Sequence, residues 1–146
     1  MKIAYLIHNI YGIGGTNRTV INQASALRHR HDVEIVSVFR HRDHPVLPIP
    51  PGVTVTSLVD ARLPPGEGVG VQGRRLHEGE ERAGLPPEVF PREETRQRQY
   101  SLLTDDRLRD YLAGTDADVV VGTRPGLIVS LVRLAPTASS RSDRST

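Results

Sequence analysis

Apolar positions along this chain come in short dense runs rather than in alternation with polar ones. Ile3–His8, Val33–Phe39, Val53–Leu58 and Asp118–Gly122 are each crowded with Val and Ile or flanked by them. That pattern predicts strands covered on both faces, as in a parallel sheet. Between the first two runs, Val20, Ile21, Ala24 and Leu27 recur at helical spacing. They predict a helix from about Asn17 to Arg28, with Thr16 or Asn17 as its N-cap. The basic stretch Arg28-His29-Arg30-His31 would then lie at the negative end of its dipole. Strand, helix and strand make a βαβ unit, whose crossover is right-handed in nearly all proteins. Further on, a helix is expected over Glu93–Leu103. A second, Asp105–Ala113, would be capped by Thr104 and stopped by Gly114, and a short apolar one over Leu127–Leu134 would be opened by the turn Thr123-Arg124-Pro125-Gly126. The fold class expected is α/β: a parallel sheet of about four strands, order 3-2-1-4, with flanking helices.

The pattern breaks in two places. From Asp60 to about Pro91 the residues Pro64-Pro65-Gly66, Gly68, Gly70, Gly73, Gly79, Gly84 and Pro86-Pro87 sustain neither a helix nor a central strand. A mobile loop at about 60–92 is expected. Residues 137–146 have no apolar periodicity and are rich in Ser, Arg and Asp, so a disordered tail is expected there. The remainder, 1–136, reads as one domain.

Charge and composition exclude several functions. Lys and Arg number 19 against 17 Asp and Glu, a net charge of +2, and the signs are interspersed. With few aromatic residues as well, nucleic acid is not an expected partner. The chain has no cysteine, which removes disulfides, thiolate chemistry and cysteine-held metals. The N-terminal apolar run is too short for a signal-peptide core or a transmembrane segment, so the cytoplasm is the expected location.

Candidate chemistry centres on Gly12-Ile13-Gly14-Gly15-Thr16-Asn17, between the first strand and the first helix. Such a turn aims backbone N–H groups and the positive end of a helix dipole at one point, an arrangement suited to phosphate. Walker A chemistry needs a lysine that is absent. A dinucleotide fold needs an acid at the end of the second strand, where this chain has Phe39-Arg40-His41-Arg42. Arg40 leaves an NADP-binding reductase fragment as one alternative. A loop that lets the backbone approach a sugar diphosphate is another, and a tight turn with no ligand is the plain alternative to both. The candidate binding residues are Gly14, Gly15, Thr16, Asn17 and Arg18. His8 at the carboxyl end of the first strand joins them, as does Arg124 at the end of the fourth. A structural hydrogen bond for His8, capping for Asn17 and a solvated surface for Arg18 are the competing roles. His29, His31, His41 and His44 lack helical pairing or a supporting acid and read as basic surface, so no metal is expected. Asp105, Asp106 and Asp110 read as helix-start and surface charges.

The opening MKIAYLIHNIYGIGGTNRTVINQASALRHRHDVEIVSVFR resembles the start of family-four, GT-B-type glycosyltransferases, and TDADVVVGTRPGLIVSLVRLAP resembles a later part of the same N-terminal domain. The likeness covers roughly 1–59 and 100–136. It implies an incomplete, Rossmann-like half of a GT-B fold, the acceptor-side domain of a retaining enzyme. Such an enzyme moves a sugar from a nucleotide-sugar donor to an acceptor, here unknown. Gly14 and Gly15 would face the donor's phosphates, and no cofactor beyond the nucleotide-sugar substrate is implied. Family members continue into a donor-binding domain and a histidine-bearing segment where this chain has Thr137–Thr146. A truncated chain, inactive alone, is therefore expected. A remnant or binding module that needs a partner chain is the alternative, with association through the open edge of the fourth strand.

Overall fold

The computed structural model describes residues 1–60, 85–91 and 100–134. Among these, the elements are β1 (Lys2–Ile7), α1 (Gly15–Leu27), β2 (Asp32–Arg40), β3 (Thr54–Asp60), α2 (Leu102–Gly114), β4 (Val119–Gly122) and α3 (Pro125–Leu134). All pairings are parallel. β1 runs beside β2 from Lys2↔Asp32 to Ile7↔Ser37 and beside β4 from Ile3↔Val119 to Leu6↔Gly122, while β2 pairs β3 from Glu34↔Thr54 to Arg40↔Asp60. The order is β3-β2-β1-β4, as the sequence predicts. The protein is an α/β molecule with a four-strand, Rossmann-like parallel sheet and flanking helices.

Side-chain alternation divides the core between the two faces of the sheet. Ile3, Tyr5, Ile7, Val33 and Ile35 pack with Ile10, Tyr11 and with Val20 and Ala24 of α1. Ala4, Leu6, Val36, Val38 and Leu58 pack on the other side with Phe90, Tyr100, Leu103 and Leu108, and with Leu127 of α3. Glu34 is buried within β2 and accepts hydrogen bonds from Thr56 Oγ1 at 2.6 Å and Tyr111 Oη at 2.5 Å. Burial, then the Glu34 bond, raises the Tyr111 phenol above its ordinary range.

Several local expectations are corrected. β4 is not covered on both faces: Val119 is 41% and Val121 36% exposed, because the core on the side of their partners Ile3 and Tyr5 does not extend over β4. Neither Thr16 nor Asn17 caps α1; the cap is Gly14, whose backbone is extended. α2 begins earlier than expected, because Ser101 is its cap. Thr104, three positions on, supplies the reciprocal arm of a capping box rather than the cap itself. Of the helix expected over 93–103, residues 93–99 lie outside the described ones; Tyr100 and Ser101 lie outside any helix, and Leu102 and Leu103 belong to α2.

Asp105 is no surface charge. It is 2% exposed, and its Oδ2 accepts the Glu88 N–H at 2.7 Å and the Val89 N–H at 3.0 Å. That clamp holds 85–91 against the sheet, and Phe90 there is only 1% exposed. This stretch was expected to be part of an exposed loop. The rest of that loop, 61–84, and the expected tail at 137–146 lie outside the described residues.

Candidate functional site

In a parallel sheet every strand ends at the same rim. Strands β2 and β3 lie to one side of β1 and β4 to the other, so the connections leaving β1 and β4 diverge and open a crevice between them. A cleft of about 450 Å³ lies there, lined by residues of the β1–α1 connection together with His41, Thr123 and Arg124.

The cleft's first wall is the segment His8–Asn17. Its backbone is fastened at both ends. His8 O accepts the Phe39 N–H at 3.1 Å, and the Ile10 N–H donates to Ser37 Oγ at 3.0 Å, which ties the segment to β2. Asn17, 6% exposed, turns its side-chain amide back under the loop and donates to Asn9 O at 3.0 Å and Gly12 O at 2.8 Å. Its role is thus to staple the loop rather than to cap the helix. The loop carbonyls are taken up from beneath, while Gly14, Gly15 and Thr16, all exposed, begin α1 at the cleft. No acidic residue occupies the first turn of α1, so the dipole's positive end is not neutralised from within the helix.

The second wall comes from β4. Thr123 donates twice to Leu6 O, through its N–H at 3.2 Å and its hydroxyl at 2.9 Å. This fixes the turn into α3 against the end of β1. Arg124 follows, and its carbonyl accepts the Ile128 N–H at 3.0 Å, the first bond of α3. No acidic side chain among the described residues lines the cleft.

The structure therefore brings together Gly14, Gly15, Thr16, Asn17, His8 and Arg124, six of the seven residues singled out in the sequence. Arg18 is exposed, stands outside the cleft lining and contributes its N–H to the Gly14 carbonyl at 3.2 Å. Arg40, the residue that would meet a 2′-phosphate, donates instead to the carbonyls of Arg42 and Asp43 at 3.2 and 2.6 Å and lies over the Tyr11 ring.

His41 is exposed, in keeping with its reading as surface, and it also lines the cleft. Asn9, whose oxygen accepts the Tyr11 N–H at 2.9 Å, has its amide nitrogen 2.8 Å from His41 Nδ1, and Arg42 Nε lies 3.0 Å from His41 Nε2; the neutral ring accepts at one of these nitrogens only. Partial burial, then the Arg42 charge, hold this ring below the ordinary histidine range. The available signal was positional: β2 ends beside β1, so the residue just past Arg40 reaches the same rim.

Tyr100 was not singled out either. It is 3% exposed and its Oη lies 2.9 Å from His8 Nδ1. Nothing local marks it, since the two residues are 92 positions apart.

No helix among the described residues is long and apolar enough to cross a membrane. No family model matches the chain. An exopolysaccharide phosphotransferase of Streptomyces coelicolor is 32% identical over 137 residues, which are 93% of this chain and 14% of that protein. The chain thus spans about one seventh of the length of that relative.

Proposed function

We propose that residues 1–136 form the N-terminal, acceptor-side lobe of a retaining, cytoplasmic GT-B-type transferase, and that the β1–α1 loop receives the phosphates of a nucleotide-sugar donor. The observation that carries this reading is the cleft itself. The glycines and first-turn amides of α1, His8 and Arg124 line one open space at the switch point, with no acidic side chain among the described lining residues to repel an anion. The name of the Streptomyces relative, an exopolysaccharide phosphotransferase, supports a transferase of carbohydrate chemistry without choosing the group that moves.

In this chemistry the bond between sugar and donor phosphate breaks, and negative charge grows on the departing phosphate. The α1 N-terminus and Arg124 both line the space in which that charge would grow, and both carry the sign that stabilises it. The 146 residues are expected to bind a diphosphate without turning over a sugar nucleotide, because the family's donor contacts lie in a second lobe. Among the described residues β4 ends the sheet, and its outer edge is where a further strand or a partner chain would pair.

Calorimetric titration with inorganic pyrophosphate tests this. Binding is expected, and Arg124→Ala should weaken it about ten- to hundredfold, the usual range for a charged hydrogen-bonding group. Absence of binding, or indifference to Arg124→Ala, would refute the reading.

A second reading follows from the relative's name, which specifies phosphotransfer. Attack on the phosphorus nearer the sugar would move a sugar phosphate and release a nucleoside monophosphate. Attack on the anomeric carbon would move the sugar alone and release a nucleoside diphosphate. The nucleotide product of a chain carrying this lobe with a donor-binding lobe separates the two.

A further inference from the structure

We infer that Tyr100 is a positioning residue for the cleft: its hydroxyl donates to His8 Nδ1 and holds the ring as the Nε2–H tautomer. With its proton on Nε2, His8 is a hydrogen-bond donor at that nitrogen rather than a general base. The assignment deepens the anion reading of the cleft and rests on it for the part His8 plays there; the tautomer itself does not depend on that reading.

Three observations carry it. The first is the contact, 2.9 Å between Tyr100 Oη and His8 Nδ1. Chemistry decides its direction. A phenol is a good donor whose oxygen is a weak acceptor, whereas the unprotonated nitrogen of imidazole is a strong acceptor. The O–H···N arrangement is therefore favoured, and a ring whose Nδ1 accepts carries its proton on Nε2.

The second observation is that neither ring is at liberty to turn away. Tyr100 stacks on Phe90 with centroids 3.7 Å apart and planes at 7°, and meets Phe39 edge-on at 5.3 Å and 79°. His8 in turn lies 5.3 Å from Phe39 at 67° and 5.5 Å from Tyr100 at 34°. His8, Phe39 and Tyr100 are in mutual ring contact and Phe90 stacks on Tyr100, so the cluster runs from the interior to His8, which lines the cleft.

The third is the support behind the cluster. Asp105 fixes the backbone at Glu88 and Val89, immediately before Phe90. The aromatic stack is thereby anchored to α2, and the orientation of His8 is set from the protein interior. The arrangement matches the way a buried partner selects the tautomer of a working histidine.

Histidine tautomers are read directly from long-range proton–nitrogen correlation spectra of the 15N-labelled chain at a pH where the ring is neutral, with His8→Gln used to assign the signal. The wild-type His8 ring is expected to show a protonated Nε2 and a bare Nδ1. Tyr100→Phe keeps the stack on Phe90 and removes only the hydroxyl; it should convert this pattern into a mixture of tautomers. Pyrophosphate affinity should fall about two- to tenfold in that variant, the worth of one hydrogen bond. A wild-type ring protonated on Nδ1, or a tautomer unchanged in a folded Tyr100→Phe variant, would overturn the assignment. If Tyr100→Phe does not fold, the wild-type spectrum alone decides. An Nε2–H ring released by Tyr100→Phe in a protein that binds no pyrophosphate would uphold the tautomer assignment and overturn the anion reading.

Discussion

Gly14 and Gly15 need not be glycines for the sake of the fold. Gly14 has φ −63° and ψ 166°, ordinary extended backbone, and Gly15 opens a regular helix. A Cβ added at either would meet nothing within 4 Å. Among the described residues neither strain nor packing accounts for the pair, and the proposed role in receiving a phosphate is what the substitutions below test. Gly15→Ala is therefore expected to stabilise the protein by roughly 0.5–1 kcal/mol through helix propensity and a less flexible unfolded chain. Gly14→Ala, at the cap, should change stability by less than about 1 kcal/mol. Both should weaken pyrophosphate binding several-fold, because each methyl group intrudes where a phosphate would meet the amides. Denaturant unfolding and calorimetry on the same samples check this. Loss of stability with unchanged binding would instead mark the glycines as parts of a tight turn. At this scale the sequence was informative because glycine, asparagine and arginine at a strand end have few local reasons to cluster. It was silent on Tyr100 and His41, whose relation to the cleft is made by the sheet.

Among the elements, the attachment of 85–91 to α2 is the feature the pattern of residues concealed. An aspartate in a first helical turn looks like a charge set against the dipole, and a Pro- and Gly-rich stretch looks like open loop. Yet Asp105 Oδ2 accepts the backbone N–H groups of Glu88 and Val89, while Oδ1 has no hydrogen-bond partner in a side chain that is 2% exposed. A buried carboxylate held so closely is costly to remove, since both N–H groups lose their acceptor. Asp105→Ala is expected to destabilise the protein by about 2–3 kcal/mol. Asp105→Asn, which keeps one acceptor oxygen and the volume, should cost less. Urea midpoints for the three proteins decide it, and an Asp105→Ala variant as stable as wild type would deny the clamp. The strands, by contrast, were legible almost to the residue, because dense Val and Ile runs have few other uses. Helix starts were less so: Ser101 and Thr104 share a capping box, and either looks like a cap when read alone.

For the whole molecule, the cleft exists only because two distant parts of the chain meet at the β1–β4 boundary. One part supplies the glycine loop and α1; the other supplies Thr123 and Arg124 at the head of α3. Their relative position depends on how closely α3 approaches the sheet, and Gly122 sets that distance. A Cβ there would come within 2.9 Å of Ile128 Cγ1 and 3.1 Å of Ile128 N, so backbone as well as side chain would have to move. Gly122→Ala should therefore push α3 outward, and Arg124, whose carbonyl opens that helix, should move with it. The expected cost is about 1–3 kcal/mol from overpacking, and at roughly 2–8 °C per kcal/mol the fall in Tm is easily measured. Pyrophosphate affinity should fall along with Tm, although position 122 is not among the lining residues. A displaced α3 with unimpaired affinity would mean that the glycine loop alone holds the anion. Arg124 would then serve another purpose at the cleft.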